Sequence, residues 1–352
     1  PFPTEAFIAA LPATVRSVVV LDRTKEPGSV GEPLFQDVVT TITERATADR
    51  VEPNGSPILV IGGRYGLGSK EFTPAMAKAA LDEPLQPAPR RRFTVGIVDD
   101  VTHLSLDVDR DFRVQSANRS AVFFALGSDG TVGANKESVK IIGAEPGIHA
   151  QGYFVYDSKK SGSMTVSHLR YGPEPIRSTY LVDEADLVAC HQFGLLDRVD
   201  VLEPARQGGT VLLNAPYPAD DVWQHLPAGV RQRIVDRGLR LFTVDAARIA
   251  RELGMPGRIN TVMQPCFFAL SGVLDRDRAV DAIKRSIEQS YGRRGRSVVE
   301  RNQTAVDRAL TELAEVPVPP PTEAHPTRAG EHRSGAEMAN SEGEAARFVA
   351  AQ

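Results

Sequence analysis

The sequence predicts an α/β protein of two successive units, residues 1–117 and 118–315, followed by a tail at 316–352. Three observations carry this reading. Short apolar runs alternate with helical patterns, which argues for parallel strands covered on both faces. One run, AVFFAL at 121–126, ends in glycines and leads into a helical pattern, a strand–turn–helix unit. From Val316 the chain turns to proline, glycine and charge without periodicity, so it reads as a linker or disordered tail.

In the first unit, TEAFIAAL is a short helix with Thr4 as its cap, and SVVVLD at 17–22 is a strand. TKEPGSVGEP (24–33) is a loop, and LFQDVVTTITER forms a helix. A strand at 57–61 runs into a glycine loop at 62–69. Thr73 and Pro74 start a helix over 74–81, and RRFTVGIVDDV (91–101) supplies another strand. The glycine loop has the outline of a P-loop, but its order is Gly68, Ser69, Lys70 instead of glycine–lysine–Ser/Thr. It reads as a domain-contact loop.

The second unit is organised around residues 121–136, AVFFALGSDGTVGANK. Gly127, Gly130 and Gly133 are spaced by three, Thr131 can cap a helix, and Val132 to Ile142 carries apolar residues at helical spacing. Glycines let the backbone turn tightly and let a ligand approach the amides. Free N–H groups at a helix start favour an anion such as phosphate. The spacing GxxGxxG is not the dinucleotide GxGxxG, and the expected acidic residue is missing. A plain tight turn without a ligand is therefore the alternative.

GIHAQGYFVYDSKKSGSMTVSHLRYG (147–172) alternates, turns at SKKSGS and alternates again, as a β-hairpin does. Lys159 and Lys160 fall at its tip, either solvent-exposed or as a phosphate clamp. Short strands come next at 178–182 and 186–190, the second closed by Cys190 and His191. A cysteine ending an apolar run is expected to be buried and inert, and sequence neighbours do not build a nucleophile pair. GGTVLLNAP (208–216) is a strand, LPAGVRQRIVDRG a helix and LRLFTV a strand. DAARIARELG is a helix capped by Asp245 and Gly254. GRIN then introduces helices at 260–273, 277–291 and 296–314. Arg258, at the start of the first, is either a surface residue or an anion ligand beside a helix N-terminus.

Composition narrows the function. With 352 residues and 41% hydrophobic content the chain supports ordinary packed cores. A net charge of −4 argues against nucleic acid, which would call for a basic domain. No apolar run approaches membrane-spanning length, and no secretory signal is visible. The two cysteines, Cys190 and Cys266, lie far apart, which fits a reducing compartment and leaves no cysteine-rich metal or cluster site in the chain. The start at Pro1, in mid-pattern, looks like a piece cut from something longer.

Eight blocks carry a family resemblance: LDRTKEPGSVGEP, GGRYGLGSKEFTP, VDDVTHLSL, GSDGTVGANK, QGYFVYDSKKSG, TVSHLRYG, STYLVDEADLVACH and GRINTVMQ. In this order they resemble the middle of pyruvate:ferredoxin (flavodoxin) oxidoreductases, over about residues 1–316. The resemblance implies an α/β protein of two domains. Residues 1–117 would be a transketolase C-terminal-like parallel domain, and 118–315 a gamma-type domain with a β-hairpin, C-terminal helices and the coenzyme A site. Residues 316–352 would lead toward a ferredoxin-like domain.

The family converts pyruvate, coenzyme A and an oxidised carrier, ferredoxin or flavodoxin, into acetyl-CoA, carbon dioxide and the reduced carrier. Carried over position by position, the coenzyme A contacts fall on Gly127, Ser128, Asp129, Gly130, Thr131, Lys159 and Arg258, with Lys160 as an added cation. Thiamine diphosphate, Mg2+, the [4Fe–4S] clusters and all catalytic residues would lie outside this chain. The full-length enzyme would be cytoplasmic and homodimeric. A non-catalytic scaffold, or a relative using another 2-oxoacid, is the competing reading.

Overall fold

The computed structural model describes residues 1–49, 58–98, 101–156 and 163–320. The protein is mixed α/β, built on two sheets. The first unit runs α1 (Thr4–Ala10), β1 (Ser17–Asp22), α2 (Pro33–Asp49), β2 (Leu59–Arg64), α3 (Pro74–Asp82) and β3 (Arg92–Thr94). Its three strands pair in parallel in the order β1-β2-β3. Val20, Phe35 and Val38 are buried together in one cluster, and Ile61, Ala80, Phe93, Val95 and Leu106 in another. Asp22, at the end of β1, ties the strand to α2. Its carboxylate accepts from the N–H groups of Leu34 at 3.0 Å and Phe35 at 3.1 Å, donors that a helix start leaves unpaired.

Three local expectations change here. Thr4 is the first residue of α1, not its cap; Pro3 precedes it and no side chain caps the helix. The second strand lies at 59–64 and takes in Gly62 and Gly63, in place of a loop beginning there. They are glycines because the strand is crowded. A Cβ at Gly62 would sit 2.7 Å from the Phe35 ring, and one at Gly63 2.4 Å from the Phe93 ring. Of the strand expected over 91–101, whose residues 99–100 lie outside the described residues, Arg92–Thr94 forms, and Gly96 turns the chain at φ +69°. Thr94 then pairs with the 104–106 segment, through Leu106 N–H to Thr94 O at 2.8 Å. The loop beyond β2 folds back on its own unit, with Arg23 Nε donating to Gly66 O at 3.1 Å.

The second unit contains β4 (Arg119–Leu126), α4 (Thr131–Gly143), β5 (His149–Tyr156), β6 (Met164–Gly172), β7 (Ala185–Cys190) and β8 (Ala205–Asn214). Then come α5 (Ala219–His225), α6 (Ala228–Asp236), β9 (Arg240–Val244), α7 (Ala246–Glu252) and α8 (Asn260–Ser271). It closes with α9 (Arg276–Tyr291), α10 (Arg296–Glu312) and β10 (Ala314–Glu315). The seven strands lie in the order β10-β9-β8-β7-β4-β6-β5. β4, β7, β8 and β9 run parallel, while β6 is antiparallel to both β4 and β5. Residues of β4 alternate between two cores, Ala121 and Phe123 in one, Val122 and Phe124 in the other. Burial on both faces explains its continuous apolar run.

The segment 178–182 is not a strand, because side chains occupy its backbone groups. Gln151 donates to Ser178 O at 2.7 Å, Arg170 to Tyr180 O at 2.8 Å and Leu181 O at 2.9 Å, and Val182 N–H donates to His168 Nδ1 at 3.2 Å. With those groups engaged, no ladder forms.

Candidate functional site

The chain leaves β4 toward the hairpin on one side of the sheet and returns to β7 on the other. The carboxyl end of β4 is thus a point where strand order reverses, where open α/β sheets form ligand crevices. The glycine turn 127–130 occupies it.

The turn is braced from within. Asp129 carboxylate oxygens accept from Leu126 N–H at 3.1 Å and Thr131 N–H at 2.8 Å. Gly127 N–H donates to Ser163 O at 2.7 Å. Ser128 at φ +74° and Gly130 at φ +89° are in the left-handed region, a strained setting for the serine. Gly130, not Thr131, is the N-cap of α4. Thr131 is 0% exposed, and its hydroxyl meets His191 Nδ1 at 2.8 Å.

His191, 3% exposed, comes directly after β7. Burial pushes its imidazole down to about 4, against a smaller opposing pull from Asp129, so the ring is neutral at pH 7. Its backbone is locked as well. His191 N–H donates to Phe124 O at 2.8 Å, and its carbonyl accepts from Asn214 Nδ2 at 2.9 Å. Asn214 Oδ1 in turn accepts from Ala246 N–H at 3.0 Å.

Around this frame three buried polar atoms have no partner among the described residues: His191 Nε2, Asn135 Nδ2 and Asn260 Oδ1. Asn135 lies one turn along α4 from Thr131, and Asn260 opens α8 against Gly130. Unpaired buried polar atoms are costly, and three around one turn ask for ligand or solvent partners.

Arg258, two residues before α8, is exposed and lines a cavity of about 300 Å³ with Tyr291, Arg294, Arg301 and Asn302. Of the residues expected from sequence, the five turn positions stand together at the switch point, and Arg258 precedes the helix that packs on them. Lys159 and Lys160 lie outside the described residues. Sequence reading missed Asn260, Arg294 and Arg301, and saw His191 only as the end of an apolar run. Its partner Thr131 is 60 residues away, and spacing gives no signal for such a pair.

A larger cavity, about 800 Å³, lies between the 105–120 and 178–186 segments. Several of its arginines are already engaged: Arg113 with Asp183 at 3.7 Å, Arg206 with Asp186 at 2.8 Å, Arg119 with Ser271 O at 3.0 Å. Cys190 and Cys266 are buried and unpaired, and burial pushes both thiols up to about 12. Two such cysteines do not fit a [4Fe–4S] cluster, which takes four thiolates. No helix among the described residues is long and apolar enough to cross a membrane.

The family model described as pyruvate ferredoxin/flavodoxin oxidoreductase matches residues 120–312. The chain belongs to that family. It is 58% identical over 320 residues to the pyruvate-flavodoxin oxidoreductase of Rhodospirillum rubrum, covering 91% of this chain and 27% of that protein. It is 48% identical over 320 residues to the pyruvate:ferredoxin oxidoreductase of Moorella thermoacetica, covering 91% and 27%. The chain thus spans about a quarter of the length of these relatives. Among solved structures, the pyruvate oxidoreductase subunit PORC of Thermotoga maritima aligns with a TM-score of 0.46 at 20% identity, over 56% of this chain and 98% of that one. A 2-oxoglutarate:ferredoxin oxidoreductase from Magnetococcus marinus, with 2-oxoglutarate, coenzyme A and succinyl-CoA bound, aligns with a TM-score of 0.43 at 14% identity, over 56% and 31%.

Proposed function

We propose that this chain is the coenzyme A-docking segment of a pyruvate:ferredoxin/flavodoxin oxidoreductase. Residues 1–117 would be its transketolase C-terminal-like domain and 118–315 its gamma domain. The observation that carries the reading is the glycine turn at the switch point, with three buried atoms unpartnered among the described residues around it, His191 Nε2, Asn135 Nδ2 and Asn260 Oδ1, and an arginine-lined cavity beside the start of α8.

Coenzyme A carries three phosphates, and the chain offers them two kinds of partner. Thr131 N–H is held by Asp129, and the next amides of the first turn of α4, those of Val132 and Gly133, suit an anion, as helix starts do. Arg258, Arg294 and Arg301 line one cavity and can each form charge-assisted bonds to phosphate. Gly127 and Gly130 are proposed to let the chain turn close to the ligand, while Asp129 and Thr131 hold the shape of the turn. Lys159 and Lys160 are proposed as further cations.

In the whole enzyme, thiamine diphosphate with Mg2+ would supply the decarboxylation chemistry and iron–sulfur clusters the path to ferredoxin or flavodoxin. Other parts of the protein would hold those groups, and the residues here would bind and orient coenzyme A. A homodimer in the cytoplasm is the proposed setting, and two unpaired thiols fit its reducing conditions.

The test is calorimetric titration of the chain with coenzyme A and with dephospho-coenzyme A. Binding that weakens without the 3′-phosphate, and on Arg258→Ala or Arg301→Ala, supports the reading. Absence of binding to the chain, together with undiminished coenzyme A affinity of a full-length relative carrying both substitutions at the matching positions, sinks it in favour of a scaffold.

A further inference from the structure

A continuous set of hydrogen bonds crosses the carboxyl ends of three parallel strands beneath the glycine turn. It runs from Ala246 N–H, at the start of α7, to Asn214 at the end of β8, and on to the carbonyl of His191 beyond β7. From His191 Nδ1 it passes to the Thr131 hydroxyl, while Thr131 N–H is held by Asp129, whose other oxygen holds Leu126 N–H at the end of β4. Asp129 and Thr131 are local to the turn. Among these links, only the His191–Thr131 bond joins the turn to the lacing of the neighbouring strands through side chains.

We propose that His191 is a positioning residue for the ligand-bearing turn, acting through the Thr131 hydroxyl to hold the turn and, with it, the first amides of α4 that follow Thr131. Thr131 is fully buried, so its hydroxyl serves the frame and not the solvent. Preorganised donors bind an anion without first having to be ordered, whereas a loosened turn must be ordered by the ligand. His191 Nε2 has no partner among the described residues, so Nδ1 is the one ring nitrogen whose loss would be felt in the frame. Burial keeps the ring neutral at pH 7, so the link does not depend on charge.

For its ligand readout the proposal rests on the coenzyme A reading; its frame readout does not. The variants are His191→Ala, His191→Asn, His191→Gln and Thr131→Val. An asparagine amide falls near the Nδ1 position and a glutamine amide near Nε2, so asparagine restores the link and glutamine does not. Coenzyme A affinity of the chain is expected to fall about tenfold in His191→Ala, His191→Gln and Thr131→Val, matching one buried hydrogen bond. His191→Asn should stay within about threefold of the parent chain, since the bond is remade. His191→Ala made in a Thr131→Val background should add nothing, because the two residues act through one bond.

Amide hydrogen exchange over residues 127–134 provides the frame readout without ligand. Exchange should speed up alike in the alanine and valine variants and recover in asparagine. If the parent chain binds no coenzyme A but exchange shows this pattern, the ligand reading fails and the positioning role stands. Additive effects of His191→Ala and Thr131→Val, or rescue by glutamine instead of asparagine, overturn the positioning role whatever the ligand does. Should His191→Ala not fold, the comparison of asparagine, glutamine and Thr131→Val decides alone.

Discussion

Gly130 and Asn260 are in mutual contact across 130 residues of chain: a Cβ built on Gly130 would lie 2.7 Å from Asn260 Oδ1. The glycine turn and the start of α8 are thereby held at a distance that only a residue without a side chain permits. Gly130 also sits at φ +89°, where an L side chain costs about 1–2 kcal/mol. Gly130→Ala should therefore destabilise the chain by at least that amount, measured by urea unfolding, and weaken coenzyme A binding. Asn260→Ala should relieve the contact and return part of the loss, leaving the backbone strain. A Gly130→Ala chain as stable as the parent would contradict both.

The Asp129 carboxylate gives a second prediction. It accepts from two backbone amides of its own turn, at 3.1 and 2.8 Å. Asp129→Ala removes both bonds and should cost about 1–3 kcal/mol, because hydrogen bonds to a charged group are at the strong end of the range. Asp129→Asn keeps one acceptor oxygen and should fall between. Equal loss in both variants would mean that charge, not the pair of acceptors, matters here.

Much of the fold was legible because it rests on local pattern. β1 falls at 17–22 as expected, α4 and the hairpin strands come within a few residues of their expected places, and Thr73 caps α3 through Met76 N–H. The departures depend on distant neighbours. Gly62 and Gly63 have the look of a loop, but they are strand glycines squeezed by Phe35 and Phe93. Residues 178–182 have the pattern of a strand, but Gln151, Arg170 and His168 take their backbone partners. The site divides the same way. Its glycine turn is visible in one continuous stretch, whereas His191, Asn260 and Arg301 join it only through the packing of β7, α8 and α10.

The same crowding predicts the outcome at Gly63. A methyl group there would meet the Phe93 ring at 2.4 Å and Leu21 at 2.8 Å. Gly63→Ala should destabilise the first sheet by about 1–3 kcal/mol through overpacking. A compensating Phe93→Leu exchange should recover part of the loss in the double variant. Stability unchanged in Gly63→Ala would show that the strand can shift to admit the methyl group.

The thiols should be silent in the folded chain. Burial pushes Cys190 and Cys266 up to about 12, so neither carries appreciable thiolate at pH 8. Reaction with a thiol-specific disulfide reagent should proceed at the rate of unfolding and speed up in urea. Rapid labelling of one thiol in native buffer would show that its surroundings open far more readily than its burial implies.

Two histidines set the acid limit of stability. His168 is lowered to about 4, mainly by burial and then by the nearby Arg170 guanidinium; its Nδ1 accepts from Val182 N–H, which requires that nitrogen to be unprotonated. His191 is lowered to about 4 by burial. In the unfolded chain both take up a proton near pH 6.5. Between about 6.5 and 4 the unfolded state therefore binds more protons than the folded state, so stability must fall as the pH falls. The contribution is fully present above 6.5 and lost by about 4, at most roughly 3 kcal/mol per histidine at about 1.4 kcal/mol per pKa unit. Urea unfolding at pH 7 and 4.5 measures the loss. In His168→Asn, which lacks a titrating group, the difference between the two pH values should shrink, leaving the part due to His191 and to carboxylates such as Glu252, which Arg308 and Arg248 hold below the usual range. The same acid loss in His168→Asn as in the parent chain would assign it to the carboxylates instead.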